Sequence, residues 1–88
     1  MEKKEIIRGF GIVVVDKGFV YVGDVECEED WCVVTNAKNI RRWGTTKGLG
    51  ELALEGPKED TVLDLVGSIS IPKNSLISII DSERSLWR

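Results

Sequence analysis

The sequence predicts a mainly β protein: a small barrel of five or six short strands with one short helix inserted before the last strands. Three observations predict it. Short β-branched or alternating runs are separated by turns rich in glycine, asparagine and aspartate. One stretch alone changes to a helical period. A chain of 88 residues has room for one core and buries roughly 60 to 65% of its unfolded surface, so self-association is an expected source of further stability.

Residues Glu2 to Arg8 are charged and then apolar, and lead through Gly9-Phe10-Gly11 into the first clear strand, Ile12 to Val15. Its β-branched side chains lose little freedom in an extended backbone. Asp16-Lys17-Gly18 is a turn, and Phe19 to Cys27 is the returning strand. Apolar positions in that strand change phase at Gly23, with Val20 and Val22 before it and Val25 and Cys27 after it, which predicts a bulge or sharp bend there. Glu28 to Asp30 is the next turn. Trp31 to Asn36 follows as a strand with Trp31, Val33 and Thr35 on one side, then a tight loop over Asn36 to Asn39 and a short extended piece from Ile40 to Trp43.

Between Lys47 and Glu55 the period becomes helical. Leu49, Leu52 and Ala53 fall at i, i+3 and i+4, Glu51 and Glu55 share the opposite face, and Gly56-Pro57 ends the helix. After a solvated loop, Val62 to Val66 is extended, and Gly67 to Pro72 alternates with Ile69 and Ile71 inward and Ser68 and Ser70 outward. Lys73-Asn74-Ser75 is a turn, Leu76 to Ile80 the last strand, and residues 82–88 a polar tail with an exposed Leu86 and Trp87. The whole chain is one domain, with residues 39–58 as an insertion, and insertions of that size in a compact domain are usually functional.

The ending Gly67-Ser-Ile-Ser-Ile-Pro-Lys-Asn-Ser-Leu-Ile-Ser-Ile-Ile80, two strands on a very short linker, resembles that of SH3-like and Sm-like barrels. A second resemblance is carried by Asn36-Ala-Lys-Asn-Ile-Arg-Arg-Trp-Gly-Thr-Thr-Lys-Gly-Leu-Gly-Glu-Leu-Ala-Leu-Glu-Gly-Pro57, continued by Thr61-Val-Leu-Asp64 and Ile71-Pro72. This stretch is similar to a family of small proteins from bacteriophages and prophages. The resemblance implies a virus-encoded cytosolic accessory protein and carries no activity over to any residue.

The chemistry is concentrated in Ile40 to Gly50. From Asn36 through Gly50 there is no acid, although the chain has a net charge of −3 and a pI near 4.9. The nucleotide fingerprints fail. Gly48-Leu-Gly50-Glu-Leu-Ala53 has no βαβ unit around it, and no G-K-[ST] follows a glycine loop. Their physics survives: amides at a helix start from Gly48 to Glu51, Gly50 among them, hydroxyls of Thr45 and Thr46, and the cations Lys47 and Arg41 can hold a phosphate while Trp43 stacks on a base. Arg42 is expected in a salt bridge or a contact between subunits. The competing reading makes Thr46 a helix cap and Trp43 core, with the arginines paired to Glu51, Glu55 or the acids of Glu26 to Asp30.

Catalysis has little to work with, because the chain has no histidine to serve as a base near neutral pH. The acids around Glu28 are expected to be a solvated hairpin. Cys27 and Cys32, possible neighbours across that hairpin, are expected as two free, partly buried thiols in a reducing cytosol, with a disulfide as the alternative.

Net acidity argues against duplex DNA as a partner. No apolar run reaches the ~20 residues of a membrane span, and the N-terminus does not resemble a secretory signal. The expected protein is a cytoplasmic, phage-encoded, non-enzymatic homo-oligomer without cofactor or metal. It is expected to sequester a phosphate-bearing small molecule such as a cyclic oligonucleotide or an ADP-ribose derivative, blocking host antiviral signalling. A protein-interaction module is the alternative, and an Sm-like RNA binder a weaker one.

Overall fold

The computed structural model describes residues 7–87, and side chains from residue 9 onward. Residues 2–6, read above as a charged lead-in, lie outside the described residues. Five strands form one antiparallel sheet: β1 (Ile7–Val15), β2 (Val20–Cys27), β3 (Trp31–Arg42), β4 (Val62–Pro72) and β5 (Leu76–Asp81), in the order β4-β3-β2-β1-β5. The helix α1 (Gly48–Glu55) lies between β3 and β4, and single 3₁₀ turns cover Asp16–Gly18, Lys73–Ser75 and Arg84–Trp87. This is the mainly β, small barrel-like fold that the turn spacing predicts. Among the described residues no helix is long and apolar enough to cross a membrane.

Both faces of the sheet are covered. One face gathers Val13, Val25, Cys27, Cys32, Val34, Ala37 and Ile71, with Tyr21, Ile69 and Ile79 packed against them. The other gathers Ile12, Val20, Val22 and Ile40 from the strands under Leu52 and Ala53 of α1 and under Trp87. This arrangement explains the apolar phase change in β2. Tyr21, Val25 and Cys27 share a face throughout, and Val20 and Val22 are apolar because a second layer covers the other one.

The bulge predicted for β2 falls instead on its neighbour, where the β2–β3 register shifts between Val22 and Asp24 and pairs them with Lys38 and Thr35. Asn36 holds the left-handed conformation there, φ 51°. β3 therefore runs unbroken through the segment expected as a tight loop, since a single bulged asparagine absorbs the extra residue without ending the strand. Gly23 is needed opposite: a Cβ there would stand 2.8 Å from the Thr35 carbonyl oxygen and from Val34 Cγ1.

Three further expectations change. Gly9 to Gly11 belong to β1, which begins by Ile7. Cys27 and Cys32 are joined as a disulfide and not present as free thiols. They are direct cross-strand partners next to the hairpin turn, with Cα atoms 3.9 Å apart, so the two side chains meet on the same face. The C-terminal segment is not an exposed tail, because Trp87 is only 5% exposed. Its indole packs on Phe10 at 6.4 Å between centroids and donates through Nε1 to Ser82 Oγ at 2.8 Å. Ser82 Oγ in turn donates to the Ala53 carbonyl oxygen of α1 at 2.6 Å. Leu86 completes the contact against Gly56, whose φ of 84° and lack of a Cβ let the chains touch.

Candidate functional site

The insertion begins where β3 ends and is clamped at its base. Thr61 Oγ1 donates to the Trp43 carbonyl oxygen at 2.7 Å, and the Lys58 amide donates to Thr61 Oγ1 at 2.8 Å. Gly44 is pressed against Asp60 and Thr61 so closely that a Cβ would lie 2.5 Å from their backbone. The loop is thus a closed structure on a rigid hairpin, with α1 packing Leu52 and Ala53 down onto the sheet.

The structure brings Trp43, Thr45, Thr46, Lys47, Gly48 and Gly50 together at the start of α1. A Cβ on Gly48 would meet the Trp43 ring at 3.9 Å, and Gly48 takes φ 80°. The polar groups, however, serve one another. The Lys47 amide donates to Glu51 Oε1 at 2.9 Å, and Thr46 Oγ1 donates to the same oxygen at 3.3 Å. Glu51 reaches back over the helix start in the manner of half a capping box. Thr45 Oγ1 donates to the Gly48 carbonyl oxygen at 2.7 Å. Thr46 is thus bonded to a side chain and does not cap the helix backbone. The anion attracted by this helix N-terminus is the helix's own carboxylate.

Arg41 stands apart from that group. Its Nε pairs with Asp64 Oδ2 on β4 at 2.7 Å, both side chains about half exposed. The sequence window without acids is therefore not a cationic surface in space, since Asp64 and Glu51 are folded against it. At the other end of α1, Lys58 Nζ pairs with Glu55 Oε1 at 2.6 Å. This hydrogen bond, reinforced by the ammonium charge, holds the Glu55 carboxyl below its usual range. The same bond holds the Lys58 ammonium above its own.

The insertion leaves large apolar groups in solvent beside its exposed Thr46 and Lys47. Trp43 is 42% exposed and Leu54 79%, and Arg42 beside Trp43 is exposed. Sequence reasoning missed Thr61 and Asp64 as partners of this loop. Asp64 lies on a strand whose register with β3 no local pattern reveals, and Thr46 and Glu51, five residues apart, lack the three-residue spacing of a capping box. No family model matches the chain, and neither the curated proteins nor the solved structures contain a match to it.

Proposed function

We propose that this is a non-catalytic binding protein whose insertion recognises a protein partner through Trp43 and Arg42. One observation carries the reading: the loop ties the Lys47 amide and the hydroxyls of Thr45, Thr46 and Thr61 into bonds of its own while leaving a large indole in solvent. Exposed tryptophan and arginine are the residue types that dominate protein interfaces. An ordered loop also loses little conformational entropy when it docks. Under the phage resemblance, the partner is a host protein.

The phosphate-binding reading of Arg41, Trp43, Thr45, Thr46, Lys47, Gly48 and Gly50 stands second. It is favoured by the Lys47 amide, which already holds a carboxylate oxygen, and it requires Glu51 to give way to the ligand. Sequestration of a host nucleotide signal belongs to this second reading. A host-cytoplasmic location is part of either proposal, and the Cys27–Cys32 bridge weighs against it because such bridges are rare in reducing compartments. Self-association is also proposed: among the described residues β4 and β5 are the edge strands of the sheet, with Leu65 85% exposed on β4.

Affinity capture from host lysate with the parent chain and with Trp43→Ala, beside calorimetry with cyclic nucleotides and ADP-ribose species, separates the two binding readings. A protein retained by the parent and lost by Trp43→Ala supports the first. Heat with a nucleotide, abolished by Lys47→Glu, supports the second. Neither result would leave the insertion as structure alone.

A further inference from the structure

A hollow of about 190 Å³ opens beside the C-terminal turn, on the sheet face away from the disulfide. Phe10 and Val22 line its apolar part together with Trp87. Asn36 and Lys38 come from the bulged part of β3, and Asp24 with Arg84 completes the lining.

Its polar groups are under-used. Lys38 Nζ makes only a 3.4 Å bond to the Trp87 carbonyl oxygen, near the limit at which such a bond has strength. Asn36 is held at φ 51° by the bulge, and its carboxamide has no hydrogen-bond partner among the described residues. Arg84 pairs with Asp24 and lies over the Phe10 ring, 5.4 Å from its centroid. Two cations and one carboxylate thus line the hollow, with Asp24 paired to Arg84, so the charged lining is net positive on a chain of net charge −3. A neighbouring hollow of about 220 Å³ shares Asp24 and Arg84 but adds Glu26, so its charge does not favour an anion.

We propose that the hollow lined by Phe10, Val22 and Trp87 binds a small planar aromatic acid, its carboxylate or monophosphate lying between Lys38 and Arg84. The apolar lining takes the ring, and the Asn36 carboxamide offers a donor and an acceptor to the ring's polar edge. Charge-assisted bonds from Lys38 and Arg84 hold the acid group. Pockets for drug-sized ligands occupy about 300 to 1,000 Å³, so a space of this size limits the ligand to one small ring system with its acid group. This site is separate from the insertion and does not depend on the protein-binding reading.

The test is an NMR titration of the ¹⁵N-labelled full chain with indole-3-acetate and with phenyl phosphate, against neutral indole and phenol. The expected result is saturable shifts at the Asn36 and Lys38 amides and at the Trp87 indole N–H. Binding should be about tenfold weaker for the neutral counterpart, the scale of one charge-assisted bond. Lys38→Glu and Arg84→Gln, at positions that are not buried, should each weaken binding severalfold while circular dichroism stays unchanged. Binding of only one acid identifies which acid group the site takes. Absence of saturable shifts with both acids, shifts confined to residues 43–51, or affinity indifferent to Lys38→Glu would overturn the proposal.

Discussion

Residues 43–50 and 82–87 carry similar chemistry, a tryptophan among hydroxyls and cations, and they use it in opposite ways. The first segment turns its threonine hydroxyls and the Lys47 amide on itself and leaves the Trp43 indole half in solvent. The second reaches into the sheet, buries Trp87 on Phe10 and joins α1 through the Ser82 hydroxyl. Composition does not decide which tryptophan becomes core. What decides is whether a distant element supplies a matching face: Ile12, Val22 and Ala53 are there for Trp87, and no comparable set of elements encloses Trp43.

The contrast can be broken most severely at Trp87. Trp87→Ala removes the largest side chain of the second core layer, with an expected loss of about 3–5 kcal/mol in urea unfolding. A loss under about 1 kcal/mol would mean that the C-terminal turn is not part of the core. Ser82→Ala comes next. It leaves the Trp87 N–H and the Ala53 carbonyl oxygen without their shared partner, and each unsatisfied buried group costs about 1–3 kcal/mol. Thermal unfolding of that variant should show a lowered midpoint.

Trp43→Ala should fall within about 0.5 kcal/mol of the parent, as surface changes away from packed features do, while the proposed partner binding is lost. The smallest effect belongs to Glu55 and Lys58, both at the surface. Glu55 is lowered by Lys58, so its contribution is present above the ordinary carboxylate range and is lost as pH falls through its folded value. Lys58 is raised, so its contribution is present below the ordinary ammonium range and is lost as pH rises through its folded value. Melting curves of the parent and Lys58→Ala should differ slightly at neutral pH and converge in acid.

The strands were legible because one covered face writes alternation into the chain, as at Ile69 and Ile71 of β4, and two covered faces write a continuous β-branched run, as at Ile12 to Val15 of β1. The helix was legible to within a residue at its start because Leu49, Leu52 and Ala53 keep its period and Gly56 ends it. Long-range pairings were not legible. Nothing local to Asn36 tells a bulge inside a 12-residue strand from a loop between two, since asparagine adopts the same left-handed conformation in both. Cys27 and Cys32 could be placed opposite each other from the turn between them, and weighing the compartment then favoured free thiols over the bridge. In the candidate site the residues gathering around Gly48 could be anticipated. The partner of Arg41 could not, because Asp64 is brought in by the register of β4.

The most direct test of this division between two tryptophans is hydrogen exchange at the indole N–H groups, followed by NMR. The Trp87 signal should exchange slowly, since its N–H is bonded to Ser82 within a buried layer, while Trp43 and Trp31, 42% and 51% exposed, exchange close to the rate of a free indole. A Trp87 signal exchanging as fast as that of Trp43 would contradict the account, because the C-terminal turn would then not be closing the second face of the sheet.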